Sequence, residues 1–415
     1  MLKMRKMKDS GIEWIGEIPV GWEVVPVKRL CTMQAGKNLT SEQIAPEGTY
    51  PVYGGNGIRG FFSDYNCDGQ FLTVGRQGAL CGNVHKINGK VWATEHAVIT
   101  TPSSYTLLDF LYYLLIGMDL NQYVSSTAAQ PGLAVGALLN LKTCYPCSTL
   151  EQTQISNYLN AKCSEIDVML TKTRSSIEEY KKLKQAVITQ AVTKGVRSER
   201  EMKDSGVEWI GKIPREFDPV QLKFFCKLIT DGTHFSPTTV ENGWPYITAG
   251  DVHGIGLDYN SAKRISEEDF QLLVAQGCQP LKGDVLLVKD GATTGRVGFV
   301  DSDTPCVILS SVAMLRPADN TDGHYLMYLL ASDFLQKQIL VSMAGSAMPR
   351  TTLTKLTKYI GLLSPLHEQK EIANYLDAKC AEIDRLIAKK EQLVKELESY
   401  KKSLIYEVVT GKREV

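Results

Sequence analysis

Along two stretches of the chain, apolar residues return at three- and four-residue steps with charged residues between them. Ile383, Leu386, Leu393, Leu397, Tyr400 and Leu404 form one such series, broken at Lys390. Ile166, Leu170, Ile177, Tyr180 and Val187 follow a similar, more polar course, with Thr173 and Lys184 in the gaps. Neither Gly nor Pro occurs between Leu150 and Lys194 or between Leu366 and Thr410. Each stretch is therefore predicted to be one helix of about 45 residues, about 65–70 Å long at a rise of about 1.5 Å per residue. A helix of that length needs a partner stripe, and the other copy in the same chain is the nearest candidate. This predicts an antiparallel coiled coil, against the simpler reading of two surface helices on separate cores.

Elsewhere the pattern changes. Gln70–Val74, Asp284–Lys289 and Val297–Val300 are short β-rich runs bounded by Gly, Asn and Asp, and amphipathic patches follow at Leu107 to Gly117 and His324 to Gln338. The predicted class is α/β (α+β): two mixed domains, residues 1–150 and 197–365, each with its core on a twisted sheet. Spacer helices 151–196 and 366–415 separate them.

The chain also repeats itself. Met7-Lys8-Asp9-Ser10-Gly11-Ile12-Glu13-Trp14-Ile15-Gly16 returns 195 residues later as Met202-Lys203-Asp204-Ser205-Gly206-Val207-Glu208-Trp209-Ile210-Gly211. Glu151-Gln152, Asn157-Tyr158-Leu159, Ala161-Lys162-Cys163 and Glu165-Ile166-Asp167 return 217 residues later, from Glu368 to Asp384. Between the repeats the two halves differ in sequence and length. Two like halves in one chain imitate a symmetric dimer, the arrangement that suits two half-sites on a duplex, and unlike central domains let those half-sites differ.

Composition narrows the function. The hydrophobic fraction of 43% and charged fraction of 22% are those of an ordinary globular chain, without an apolar run long enough for a membrane helix. Acidic residues among Asp9 to Glu17 stand where a secretory signal needs an unbroken apolar stretch, so a cytoplasmic location is expected. Ten scattered cysteines then read as reduced thiols, and Cys31 with Cys226 and Cys163 with Cys380 hold matching places in the repeats, as packing residues would. Cys144-Tyr145-Pro146-Cys147 has metal-like spacing but no second pair to complete it, so no metal site is predicted.

The 46 basic and 46 acidic side chains cancel, which counts against a DNA binder working alone. Any basic surface must be local or come from a partner. Gly55-Asn56-Gly57-Ile58-Arg59-Gly60 fits a dinucleotide-binding pattern literally, but Phe61-Phe62-Ser63 is a poor helix start and a turn is expected. No phosphate-binding Gly-Lys-Ser/Thr loop is present. Asp377-Ala378-Lys379 and Glu179-Tyr180-Lys181 fit nuclease-like fragments, but both fall within the predicted helices as ordinary helix charges.

The layout resembles the specificity subunit of type I restriction-modification enzymes, over essentially the whole chain. The openings Ser10 to Pro19 and Ser205 to Pro214, and Pro365-Leu366-His367-Glu368-Gln369 entering a helix, are similar to that family's conserved regions. Asp231-Gly232-Thr233-His234, Lys282-Gly283-Asp284-Val285-Leu286 and Gly291-Ala292-Thr293-Thr294-Gly295 look like one type of target-recognition domain. Tyr53-Gly54-Gly55-Asn56-Gly57 and Gly75-Arg76-Gln77-Gly78-Ala79 look like another. Phe217 departs from the pattern kept by Trp22, which bears on local packing rather than on function.

The resemblance implies that each domain reads one half of a split target in double-stranded DNA. It also implies that the helices fix the spacing and dock two adenine-N6 methyltransferase subunits, to which two motor-nuclease subunits can add. S-adenosylmethionine, and ATP with Mg, would then belong to those partners, leaving this chain without a cofactor and without catalysis. The chain has no Pro-Pro dipeptide, and so lacks the Asn/Asp-Pro-Pro-aromatic motif that the resemblance leads one to expect of an amino-methyltransferase. A self-contained methyltransferase or nuclease, and a coiled-coil interaction protein without a DNA role, are the rival readings.

Reading DNA requires donors and acceptors on loops held by a rigid scaffold. Asn56, Arg59, Arg76 and Gln77 are the candidates in the first domain, and Thr233, His234, Lys289, Thr294, Arg296 and Arg350 in the second. Any single one of these could be a solvated surface charge, and His234 beside Asp231 could instead cap its loop. Helices longer than the roughly 34 Å of one DNA turn predict a bipartite target with an unread gap.

Overall fold

The computed structural model describes residues 5–77, 81–123, 132–253, 256–343 and 349–415. The predicted long helices are Thr149–Lys194 and Leu366–Val409, each unbroken. Packing divides the chain into two compact units, Met1–Arg174 with Glu391–Val415, and Ser175–Lys390. Each unit thus takes part of both helices, whereas the sequence boundaries treat each helix as a segment of its own.

Within the first unit, the repeated opening is a capped loop on a hairpin of Met7–Asp9 with Glu17–Pro19. The Asp9 carboxylate accepts from the Gly11 amide at 2.9 Å and the Ser10 hydroxyl from the Ile12 amide at 3.1 Å. Gly11, at φ +66°, supplies the left-handed turn. Trp22–Pro26 then pairs antiparallel with Lys142–Pro146, which brings the start and end of the variable domain together just before the helix. The domain itself is a four-stranded sheet in the order Cys31–Ala35, Ala97–Pro102, Gln70–Gly75, Val84–Asn88. A three-stranded sheet of Gly57–Phe62, Tyr50–Gly54 and Trp92–Ala93 stands beside it, with the helix Leu108–Gly117.

Two helix stretches close this core. Ile155, Leu159, Cys163, Ile166 and Leu170 form a buried stripe that joins Leu404, Ile405, Val408 and Val409 in one cluster. Lys401 meets Asp167 at 2.6 Å and Arg174 meets Glu398, so the stretches run antiparallel. Val394 and Leu397 pack on this cluster, while Leu393 and Tyr400, which the periodicity placed on the stripe, are 42% and 51% exposed. The inward positions run Lys390, Val394, Leu397, Lys401, Leu404 and Val408 in steps of four and three, so two of them are lysines, and Leu393 and Tyr400 each fall one position to the side.

The second unit repeats the plan. Its hairpin is Met202–Asp204 with Lys212–Pro214, capped by Asp204 and Ser205 as in the first copy. Asp218–Gln221 pairs with Ile360–Leu363. The main sheet runs Cys226–Asp231, Val312–Pro317, Val285–Val288, Val297–Phe299. A second four-stranded sheet and the helix Glu267–Ala275 enlarge this unit and account for part of its greater length. Ile188, Ala191 and Val192 share a core with Ile372, Ala373, Leu376 and Cys380. Lys184, an apparent gap in the stripe, reaches Asp384 at 2.7 Å, and Lys390 lies over the Tyr180 ring at 5.7 Å.

Both long helices are tied to their domain by the same buried amide. Gln152, fully buried, donates to the carbonyls of Tyr105 and Pro146 and accepts from the Leu107 amide. Gln369, its repeat partner, donates to Asn320 and Ser364 and accepts from Asp322. In each unit a single side chain satisfies three main-chain groups that burial would otherwise leave orphaned. Tyr113 likewise donates to Asn160 at 2.9 Å and Tyr328 to Asp377 at 2.8 Å, each beside its buried cysteine, Cys163 or Cys380.

Among the described residues, no helix is long and apolar enough to cross a membrane. The Cys144 thiol points into the core and donates to the Val409 carbonyl, while Cys147 is exposed.

Candidate nucleic-acid interface

Sheet topology decides where the candidate residues emerge. In the first unit, Cys31–Ala35 and Gln70–Gly75 are both antiparallel to Ala97–Pro102, so they run parallel and finish at the same edge. In the second, Cys226–Asp231 and Val285–Val288 flank Val312–Pro317 in the same way. Arg76 and Gln77 leave the first edge, and Lys289 and Asp290 the second. Each first strand is followed by a glycine that lets a neighbouring strand approach. A Cβ on Gly36 would lie 2.2 Å from the Ala93 carbonyl oxygen, and one on Gly232 would lie 1.9 Å from that of Ile308.

The main chain at the two edges is bonded position for position. Arg76 donates its amide to His96 and accepts from the Leu133 amide, both at 2.9 Å. Lys289 donates to Ser311 at 2.8 Å and accepts from Thr351 at 2.9 Å. The next residue pairs outward in both units, Gln77 with Gly132 and Asp290 with Arg350. Gly82 bonds back to Gly75, and Gly295 to Val288. Arg76 and Lys289 are therefore structural equivalents, as are Gln77 and Asp290, although no sequence repeat connects them.

All four first-domain candidates lie close to this edge. Asn56, exposed at the tip of the Tyr50–Gly54 and Gly57–Phe62 hairpin, accepts from Asn83 Nδ2 at 2.7 Å. A Cβ on Gly55 would come within 2.9 Å of the Gln77 carbonyl, which places that tip against Gln77. Arg59 is exposed and lays its stem over Gly54. Arg76 is half-buried, its Nε donating to the Leu133 carbonyl at 3.2 Å, and Gln77 is half-buried beside it. The Gly55–Gly60 pattern lies on this hairpin, where a helix-based nucleotide site has no place.

The six second-domain candidates also gather at one edge, with different tasks. Thr233 is buried, and its hydroxyl accepts from the Phe235 amide at 2.9 Å. Thr294 donates to the Gly291 carbonyl at 2.7 Å. Both hold loops in shape. His234 is 73% exposed, with Nε2 3.8 Å from Asp231 Oδ2. Arg296 is exposed where its strand begins. Lys289, offered by the sequence as a direct contact, has its side chain only 3% exposed, with Nζ 2.7 Å from Asp290 Oδ2 and 3.3 Å from Asp231 Oδ2. Arg350 Nε lies 2.9 Å from Asp290 Oδ1, and its side chain is 58% exposed.

Sequence reasoning named Asp231 only as the neighbour of His234 and in its motif, and missed Asp290, Asn83 and His85. His85 faces Gly57, and burial lowers its imidazole from the ordinary histidine value, favouring the neutral ring. The signal for Asp290 was its place directly after Lys289 at a strand end. For Asn83 and His85 no pattern in the sequence distinguished them from other loop residues.

The family model for the type I restriction modification DNA specificity domain matches twice, over residues 19–179 and 214–397. The chain belongs to the family of type I restriction-modification DNA specificity subunits. It is 45% identical over 118 residues to the specificity subunit of the EcoprrI type I restriction enzyme of Escherichia coli, covering 28% of this chain and 29% of that one. It is 27% identical over 273 residues to the MjaVIII specificity subunit of Methanocaldococcus jannaschii, covering 63% of this chain and 60% of that relative. The matches thus span less than two thirds of either relative. A solved chain from a study of assembly and conformational transition in a type I restriction-modification system shares the fold. That chain is 15% identical with a TM-score of 0.67, the match covering 95% of this chain and 99% of that one.

Proposed function

We propose that each unit reads one half of a bipartite site in double-stranded DNA, and that the long helices set the gap between the half-sites and dock two adenine-N6 methyltransferase subunits. Methyl transfer with S-adenosylmethionine, and cleavage with ATP and Mg where two motor-nuclease subunits join, belong to those partners. The chain itself is a non-catalytic, cytoplasmic adaptor. The observation that carries this reading is the pair of sheet edges built on one main-chain frame and furnished with different polar side chains. A shared frame with unlike side chains is what two readers of unlike half-sequences require, since hydrogen-bonding groups on base edges distinguish one base pair from another.

Asn56, Arg59, Arg76 and Gln77 serve the first half-site, and His234, Arg296 and Arg350 the second, with Thr233, Lys289 and Thr294 shaping the second edge. The test is single-molecule methylome sequencing of a host expressing this chain with a methyltransferase subunit that assembles with it, before and after replacing residues 32–148 with a relative's domain. One half of the methylated motif should change and the other stay. Methylation without a two-part motif, or a change in both halves, rejects the reading, as does methylation or cleavage by the purified chain alone.

A further inference from the structure

Resting on that reading, we infer that Arg350 reads a guanine in the second half-site, and that Asp290 and Lys289 are positioning residues that aim it. The charges form a chain from the interior outward. Lys289 Nζ, with its side chain 3% exposed, is bracketed by Asp231 and Asp290 at 3.3 and 2.7 Å. Asp290, 24% exposed, has its other oxygen 2.9 Å from Arg350 Nε. Arg350 ends the chain at the surface, 58% exposed.

An ammonium group enclosed in this way cannot reach a base edge, but it makes a charge-assisted hydrogen bond to Asp290 and an ion pair with Asp231. The Asp290 carboxylate in turn lies beside Arg350 Nε as a counter-charge outside hydrogen-bond geometry, on the side of the guanidinium away from the terminal Nη pair. Main-chain bonds add rigidity. Gly291 donates to the Pro349 carbonyl at 2.9 Å and Thr351 to the Lys289 carbonyl at 2.9 Å, so the loops bearing Asp290 and Arg350 are stitched on both sides of the pair.

A planar fork whose root is paired by charge with a carboxylate is suited to the O6 and N7 acceptors of guanine, a match that Lys cannot reproduce. In the first unit the position equivalent to Asp290 is Gln77, whose amide both donates and accepts, and the position pairing with it is Gly132. Among the described residues, the first edge therefore lacks this device, and the two edges differ in kind.

The experiment uses the full chain with its methyltransferase subunits and compares wild type, Arg350→Lys, Arg350→Gln, Asp290→Asn and Lys289→Met. Host genomic DNA and synthetic duplexes carrying every single base-pair change in the motif are the probes. Arg350→Lys should reduce preference for one G·C pair in the second half by roughly tenfold to a hundredfold, leaving the first half-sequence intact. Asp290→Asn and Lys289→Met should relax the same base pair by less.

A uniform loss across all sequences with Arg350→Lys or Arg350→Gln would assign Arg350 to a phosphate and overturn the inference. So would a change at a pair other than G·C, or a wild-type pattern with Asp290→Asn. Should a buried variant lose methylation altogether through misfolding, the exposed Arg350→Lys change decides. A wild-type complex without a two-part motif would remove the underlying reading. An intact two-part motif that ignores Arg350 would remove only this inference.

Discussion

Arg200 grips Glu368 with both terminal nitrogens of its guanidinium, one contact at 3.0 Å, while its plane lies 5.3 Å from the centre of the Phe217 ring. In the first unit Arg5 and Glu151 hold the matching places, and the Trp22 indole donates to the same carboxylate at 3.0 Å. Phe217 has no N–H to give, and the guanidinium supplies both bonds instead. The departure from Trp at Phe217 is thus compensated locally. The Arg200–Glu368 side chains are 12% and 2% exposed, against 30% and 26% for Arg5 and Glu151. Removing one partner of a buried pair leaves the other short of counter-charge, and Arg200 would keep only the exposed Glu216 at 3.2 Å, so Glu368→Ala should destabilise the second unit by about 3 kcal/mol. Glu151→Ala should cost the first unit about 1–2 kcal/mol, part of it the lost indole bond. Urea unfolding followed by hydrogen exchange in each unit measures both, and equal costs would contradict the difference in burial.

Glycines divide by what surrounds them. Gly232→Ala would drive a methyl into the Ile308 carbonyl, forcing apart the strands that frame the second edge, with an expected cost of several kcal/mol and loss of specific methylation. Gly11 has open space around it but sits at φ +66°, so Gly11→Ala should cost only about 1–2 kcal/mol. Midpoints of thermal unfolding for the two variants compare the effects, and a Gly232→Ala protein as stable as wild type would contradict the close approach.

The ten cysteines are all free, and Cys147 is the exposed one. Burial pushes the thiols of Cys31, Cys144 and Cys306 up to about 12. A disulfide reagent at pH 8 should therefore label one thiol quickly in the native chain and ten in denaturant. Burial, and then the Glu23 carboxylate, raises the Cys147 thiol above its ordinary value, so its thiolate gains population only as pH climbs past that value. Glu23→Gln should lower it again and speed labelling at pH 8. Unchanged kinetics in that variant would dismiss the Glu23 contribution.

If the helices set the gap between half-sites, adding four residues to both adds about 6 Å at 1.5 Å per residue. Such a variant should prefer a longer unread gap while keeping both half-sequences, as methylome sequencing would show. Altered half-sequences would separate the helices from the measurement of spacing.

Periodicity and repetition made much of the architecture legible. Both helices extend within a few residues of where the absence of Gly and Pro placed them, because a long apolar stripe admits few alternatives. The stripe's inner face was less readable: Leu393 and Val394 are equally apolar, and only packing chooses Val394. At the site, Arg350 and Lys289 looked alike as basic candidates beside glycine-rich turns. Which one faces solvent depends on Asp231 at the end of a strand far away in sequence, and composition does not encode that proximity. The equivalence of Gln77 and Asp290 was hidden for a related reason, since it resides in main-chain bonds to which any side chain is indifferent.

That indifference has a consequence for how such a protein acquires new targets. The bonds that fix the backbone at Arg76 and Lys289 run amide to carbonyl, so replacing an outward-facing neighbour leaves the frame's own bonding untouched. If each edge reads its own half-site, single substitutions at such positions change one half of the target and leave the other half as it was. On that reading a new specificity costs the protein no change of fold.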